Sequence, residues 1–491
     1  MTGSQGPKIL LLTNSEFGEA NVFLATSHAI LQADPTVELH FATFGGLRES
    51  VAMVSQKIQA TIPETKPIVF HKIHGLTMSE SLRNAHPFPA SFLAPPGFLN
   101  TIRAIRDTVQ IFVPYSGPQL VQIFLSIVGI INTVNADLIV VNSLMTTGLT
   151  ACCHLGVKFA CLSPNSIKDF AASKQPWAAA LWKFPALDAE KYLMVHTGAH
   201  LRTPVDLLHN RLAHLKILVS TLPELDFPLI IPENIIPCGP ILKPHQCVSG
   251  SDLELGNWLA LGSTIYVNLG SICQLTASRA IELAFALKTT LEVLRVQANS
   301  SRFQVLWKLK LVEDDSMPDS DDNIEAVLGD FIQDDLVRIA AWIEVEPSSI
   351  LQSGHIACSV HHGGANSYNE AIKAGVPQVV LPQWTDCYDY AQRVELLGIG
   401  RLGSRKAKPH WSADELSKAL LDVLISESSA AIKDKAIGLA NLCDEKGNGA
   451  DVAARVLLDE CRNTVPLGSG TDKCSALART GTTRSASGKI I

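Results

Sequence analysis

Short apolar runs, each closed by a polar or glycine-bearing turn and followed by a longer mixed segment, recur along most of the chain. In the first half they fall at Lys8–Leu12, Val37–Phe44, Pro67–Ile73, Asp137–Val141, Phe159–Leu162 and Lys216–Ser220. Runs that are apolar throughout, rather than alternating, belong to parallel strands covered on both faces. Helical segments separate them, from about Ala20 to Gln32, 119 to 134 and Thr146 to Leu155. The series restarts with strands at Thr264–Leu269, Phe303–Leu309, Ile356–Val360 and Gln378–Leu381. Helices are expected between and after these, at Thr276–Leu294, Asn366–Ala374, Ser412–Ser426, Ile432–Cys443 and Asp451–Cys461. Such alternation predicts an α/β protein of two doubly wound, Rossmann-like domains. The expected boundaries are 1–235 for the first domain, 236–256 for a connection rich in Pro, Gly and Ser, 257–461 for the second domain and 462–491 for a disordered tail.

One segment breaks the rhythm. His74–Pro118 carries few charges and concentrates Phe88, Phe92, Pro95, Pro96, Phe98 and Tyr115. Loops of this length inside a domain usually have a function, and an aromatic-lined pocket for an apolar ligand is expected there, with Trp177 and Trp182 as a further wall.

Composition works mainly by exclusion. A net charge of −7 with 18% charged residues leaves no basic footprint for nucleic acid. The 11 cysteines show no paired C-x-x-C spacing and read as reduced, buried thiols. Too few apolar residues precede Thr13 for a secretory segment. The stretch Leu120–Val134 is interrupted by Gln122, Ser126 and Asn132 and falls short of the roughly 20 residues of a membrane span. A buried helix is expected there, and a cytoplasmic protein with at most peripheral membrane contact. The acidic stretch Glu313–Asp322, with Asp319-Ser320-Asp321, reads as a solvated loop and not as a metal site. No metal and no cofactor are expected.

The chemistry concentrates between Ile356 and Asp389. A strand ends at His361-His362-Gly363-Gly364 and a helix follows. Glycines there let a ligand approach the backbone, and the free N–H groups at the helix start favour an anion such as phosphate. His362 is placed to donate to a phosphate oxygen, with Asn366 and Ser367 in the first helical turn. Glu370 lies one turn on, where a carboxylate can accept from ribose hydroxyls. A second strand, Gln378–Leu381, brings Trp384 and Asp386 to the same sheet edge, where open α/β sheets bind ligands.

These residues resemble the signature of the UDP-dependent glycosyltransferases, an inverting family with the two-domain GT-B fold. Plant members carry H-C-G-W-N-S-x-x-E and P-Q-W-x-D-Q. This chain has His362-Gly363-Gly364-Ala365-Asn366-Ser367-Tyr368-Asn369-Glu370 and Pro382-Gln383-Trp384-Thr385-Asp386-Cys387. Fungal members look closer still, continuing as here through Asp389 and Leu397-Gly398-Ile399-Gly400. The resemblance implies a UDP-sugar donor whose diphosphate meets His362, Gly364, Asn366 and Ser367. It places the ribose at Glu370 and the sugar hydroxyls at Asp386 and Cys387, beside Trp384. Tyr266-Val267-Asn268-Leu269-Gly270-Ser271 looks like the family's Y-V-S-F-G-S and puts Ser271 at the diphosphate, while Trp342 stands two residues from the position of the tryptophan that stacks on uracil.

The chain departs from the plant pattern at the acceptor. The His of G-H-x-x-P is replaced by Glu19 and the Asp after the fourth strand by Asn142, so Glu19, oriented by Asn142, is the expected base. Cys387 stands where glucosyltransferases commonly have Gln, which leaves the sugar open. The expected function is transfer of a hexose to a hydroxyl of an apolar small molecule such as a lipid, sterol or secondary metabolite. A noncatalytic UDP-sugar-binding protein and a nucleotide-sugar epimerase are the alternatives.

Overall fold

The computed structural model describes residues 6–463, except 86–93, most of 96–110, 172–187, 209–211, 213, 298–301 and 313–322. Phe88, Phe92, Pro96, Phe98, Trp177, Trp182, the acidic Asp319–Asp321 motif and the tail lie outside the described residues.

Two fully parallel sheets organise the chain. The first contains β1 (Lys8–Leu12), β2 (Glu38–Thr43), β3 (Val69–Lys72), β4 (Leu138–Asn142), β5 (Phe159–Ser163), β6 (Ile217–Val219) and β7 (Ile235–Pro237), ordered β3-β2-β1-β4-β5-β6-β7. The second contains β8 (Ser263–Asn268), β9 (Phe303–Lys308), β10 (Val337–Ala340), β11 (Ile356–His361), β12 (Gln378–Val380) and β13 (Gly400–Leu402), ordered β10-β9-β8-β11-β12-β13. Both sheets reverse their winding at one place, between β1 and β4 and between β8 and β11, and a crevice opens at the carboxyl ends of the strands there. The central strands are apolar because helices cover both faces: Ile9 to Leu12 and Leu138 to Val141 are all fully buried or nearly so.

The helix Gly117–Val134 buries Leu120, Ile123, Phe124, Ile127, Ile131 and Val134 in the first domain's core. It is apolar and long enough to cross a membrane by length and composition, yet one face of it is core, as its polar interruptions predict. Pro118 starts it, and Gln119 turns back to accept from the Ser116 N–H at 2.9 Å.

The structure revises three expected boundaries. The first helix runs Phe17–Ala33, so Gly18 and Glu19 lie in its first turn and not in a loop before it. β7 carries the first sheet into the expected connection, pairing with β6 through Ile217–Ile235 to Val219–Pro237. The last helix, Gly449–Arg462, was expected in the second domain but packs on the first: Ala450, Ala453, Ala454, Leu457 and Leu458 share a core with Ile9, Leu11, Phe23 and Ile30. Its small residues allow close approach to the helix Phe17–Ala33. Arg462 pairs with Asp34 at 2.6 Å, and Glu460 meets Lys158 and Lys216.

The domains are also joined through the helix Thr385–Leu397. Its Arg393 donates to Asp226 at 2.7 Å and to Ser166 at 2.6 Å, with both charged side chains almost completely buried. Nearby, Tyr368 donates to the Leu225 carbonyl at 2.7 Å and Asn369 to that of Ser220 at 2.8 Å.

Candidate active site

At the first switch point the residues after β1 and β4 converge. Thr13 accepts from the Asn142 amide at 3.0 Å, and Asn142 Oδ1 accepts from the Leu144 N–H at 2.8 Å. Asn14 donates to Glu19 Oε2 at 2.8 Å. The amide seated directly on Glu19 is therefore that of Asn14. Asn142 also favours the ionised form, but less than Asn14. Glu19 is buried, and burial with repulsion from Glu16 pushes its carboxyl up to about 8 against the pull of Asn14 and Asn142. Glu16 is itself tied down by Ser79, which donates its N–H at 3.0 Å and its hydroxyl at 2.6 Å. Tyr115, one of the described rings of that segment, is buried close enough to Glu16 and Glu19 that their charges, after burial itself, raise its phenol.

At the second switch point the two adjacent histidines divide their work. His361 is buried and accepts the Gly363 N–H on Nδ1 at 3.0 Å, so its Nε2 carries the proton that reaches Gln378 Oε1 at 2.8 Å. It is a structural brace. The imidazole of His362 lies between glycines: a Cβ on Gly364 would fall 2.3 Å from His362 Nε2, and one on Gly270 2.8 Å from Cε1. Any side chain at either position would displace the ring. Trp384 tilts over it with centroids 5.2 Å apart, and Nδ1 is buried without a partner. Burial, then the neighbouring His361 and Lys308, push His362 down to about 3. A ring held that far down is neutral near pH 7, so it offers a hydrogen bond and not a charge.

Glycine 364 caps the helix Ala365–Lys373, whose first N–H groups face the same place. Asn366 donates across the cleft to the Phe17 and Gly18 carbonyls, both at 3.4 Å, and Ser367 is half-buried beside it. Ser271 is exposed after Gly270, whose φ of 90° and N–H bond to Asn268 at 3.0 Å make the turn. Asp386 is accessible to the cleft yet surrounded by protein; desolvation, with Asp169 of the first domain adding repulsion, pushes it up to about 7. Trp342 is 55% exposed, so it is no core residue, and Lys308 Nζ covers one face of its ring at 3.9 Å from the centroid. Cys387 does not reach the cleft. It is fully buried with its backbone against Gly363, and the expected thiol contact to sugar is corrected to packing beneath the glycine turn.

Between the domains lies a narrow crevice open to solvent, with enclosed room of about 10 Å³, enough for about one water, lined among others by Asn21, Lys243, Glu346, Ser348, Asn366 and Glu370. Burial and then Glu346 push Glu370 up to about 8, opposed by Lys243 and by a hydrogen bond with Ser348. Lys243 meets Glu346 at 2.7 Å. Sequence reasoning missed Asn21, Lys243, Glu346 and Lys308. Only Lys308 had a local signal, a cation closing the apolar run at Phe303–Lys308 one strand away from β8.

Two Rossmann-like domains, with a buried carboxyl at the first switch point and a glycine turn opening a helix at the second, make up a GT-B architecture. Comparison with known proteins agrees. Residues 332–457 match the family model of the erythromycin biosynthesis protein CIII-like C-terminal domain. The glycosyltransferase sdnJ of Sordaria araneosa is 30% identical over 93% of this chain and 95% of its own. The limonoid UDP-glucosyltransferase of Citrus unshiu is 24% identical over 45% of this chain and 41% of its own. The solved structure of a Polygonum tinctorium UDP-glucosyltransferase capable of glucosylating indoxyl superposes with a TM-score of 0.62 at 16% identity, over 94% of this chain and all of that one. The chain belongs to the glycosyltransferases of GT-B fold.

Proposed function

We propose that this glycosyltransferase moves a hexose, with inversion, from a UDP-sugar to a hydroxyl of an apolar small molecule such as a lipid, sterol or secondary metabolite. The observation that carries the reading is the placement of two carboxyls on opposite sides of one crevice, the buried Glu19 at the first switch point and the half-buried Glu370 at the second. UDP as the nucleotide draws further support from relatives whose names include UDP-glucosyltransferase. In the step, the acceptor hydroxyl gives its proton to the Glu19 carboxylate while its oxygen bonds to the anomeric carbon. The bond from that carbon to the diphosphate breaks on the opposite face, and UDP leaves with the electron pair. Backbone N–H groups at the start of the helix Ala365–Lys373 and the neutral His362 meet the charge that grows on the diphosphate. The UDP-sugar is a co-substrate, and the setting is cytoplasmic.

Two measurements test this. Acceptor-dependent UDP release is expected from UDP-glucose, UDP-galactose or UDP-N-acetylglucosamine with a panel of hydroxylated apolar compounds, giving a product of inverted configuration. Absence of UDP release across the panel would favour a binding protein, and donor conversion without acceptor an epimerase. Glu370→Ala should weaken UDP binding by ~1–3 kcal/mol, the cost of losing hydrogen bonds to a charged group, as read by calorimetry. Unchanged affinity in a folded variant would remove Glu370 from the ribose.

A further inference from the structure

The segments that carry Ser271 and Trp384 meet on one side chain. Arg279 sits near the start of the helix Ala277–Gln297. Its Nη2 donates to Gln383 Oε1 at 2.8 Å and to the Pro409 carbonyl at 3.4 Å, and its guanidinium lies over the ring of Trp411, 4.2 Å from the centroid. Trp411 in turn donates its indole N–H to the Arg279 carbonyl at 3.1 Å. Gln383 is 4% exposed and donates its own amide N–H to the Leu381 carbonyl at 2.8 Å, while the Leu381 N–H donates to the His361 carbonyl, also at 2.8 Å. Cys273, just past the Ser271 turn, reaches the same Gln383 oxygen at 3.8 Å. The residue after Gln383 is Trp384, whose ring tilts over His362. The Gln383 side chain thus fixes the backbone from which Trp384 leaves, and Arg279 fixes Gln383.

A brace that served stability alone would satisfy its donors. Arg279 does not: its Nε is shielded from solvent without a partner, and among the described residues its side-chain hydrogen bonds go to two neutral oxygens. A buried donor left unpaired costs free energy, and such exceptions gather at functional sites. We propose that Arg279 is a positioning residue for the transfer: through Gln383 it holds Trp384 against His362, so that the imidazole presents its hydrogen bond to the leaving diphosphate at one fixed place. This rests on the assignment of the donor diphosphate to the His362 turn. Gly270 and Gly364 give the ring no side-chain wall on their two sides, and Trp384 supplies one. Arg279 itself touches no substrate. Its planar fork meets an oxygen and an aromatic face together, which the point charge of a lysine does not reproduce.

The test measures kcat, UDP affinity by calorimetry and the denaturation midpoint on the full-length wild type, Arg279→Lys, Gln383→Ala and their combination, and on Arg279→Lys in a His362→Ala background. Arg279→Lys keeps the charge and loses the fork. It should lower kcat by about 10- to 100-fold, the cost of misplacing a reacting group by about 1 Å, with UDP affinity within about twofold of wild type. Gln383→Ala should show the same split, so either variant that folds reads the effect. The combination should cost no more than the larger single loss, because both changes break one contact. With His362 already replaced, Arg279→Lys should alter the residual kcat by less than about twofold. Wild-type kcat in Arg279→Lys with only a lower midpoint would overturn the proposal and leave a stabilising brace. An undiminished loss in the His362→Ala background would overturn it too, since the effect would then bypass the imidazole. A wild type without acceptor-dependent UDP release would overturn the transferase reading and this one with it.

Discussion

Replacing Arg393 with alanine is expected to lower the unfolding free energy by ~3–5 kcal/mol, a larger loss than most surface changes give. The loss follows from what is left behind. The side chains of Asp226 and Arg393 are each about 1% exposed, and among the described residues the carboxylate's partners besides the guanidinium are the N–H groups of Phe227 at 2.8 Å and Lys168 at 3.2 Å. The guanidinium is further held between the rings of Phe227 and Tyr390, at 4.8 and 4.6 Å from their centroids. Without it an ionised carboxylate is buried unpaired. Chemical denaturation of the full chain measures the effect. An unchanged midpoint would mean that water reaches Asp226 readily and that the pair is not a lock. The double change Arg393→Met with Asp226→Leu should recover much of the loss, since burying two charges offsets most of their mutual attraction. Turnover should not recover with it. Arg393 belongs to the helix that begins beside Trp384 and carries Asp386, and the same helix bears Asp389, which pairs with Lys168 of the first domain. The polar lock sets the angle between the helix that carries Asp386 and the first domain, which an apolar pair does not.

How far the chain could be read in advance depended on whether a residue's partners are near it in sequence. β1, β4, β8 and β11 were legible because strands covered on both faces leave unbroken apolar runs, and these four frame both switch points. β7, β10 and β13 were not, since each spans three or four residues and contains Pro237, Arg338 or Arg401. The glycine turn, Glu370 and Asp386 were legible because helix and strand geometry fixes their spacing from His362. Gly18 misled, reading as a turn where it sits in the first turn of a helix. Arg279 and Arg393 stayed hidden for another reason. Their roles depend on groups far along the chain, 104 residues away for Gln383 and 167 for Asp226, and a single sequence records no such pairing. The last helix is similar: its small-residue face was plain, but not which domain it would cover.

Glu19→Gln is expected to reduce turnover by ~10²- to 10⁴-fold, the range for loss of a general base, with UDP affinity unchanged. Glutamine keeps an oxygen for Asn14 and brings no charge, so the fold should be retained. The carboxyl suits the task because its environment raises it. At the ordinary value of 4.5 it would be a weak base toward an alcohol, whereas burial and Glu16 bring it to about 8. Only the ionised form accepts a proton, so wild-type kcat at saturating donor should rise with pH through about 8. Saturation matters, because Glu370 is also raised to about 8 without a ligand, and hydrogen bonds from a bound ribose favour its ionised form and move its titration lower. Stability runs the other way. A carboxyl with a raised folded pKa holds its proton more tightly in the native state than when unfolded, so its contribution is complete below the ordinary 4.5 and falls as pH rises toward about 8. The wild type should therefore gain activity and lose stability over one pH window, while Glu19→Gln lacks the activity and shows a flatter stability profile. A flat wild-type kcat between pH 6 and 9, or full turnover in Glu19→Gln, would exclude Glu19 as the base. Glu19→His with Asn142→Asp provides the complementary measurement. If that pair raises turnover above wild type while Glu19→Gln leaves it untouched, the buried carboxyl is a structural acid braced by Asn14, and the acceptor reacts without a dedicated base.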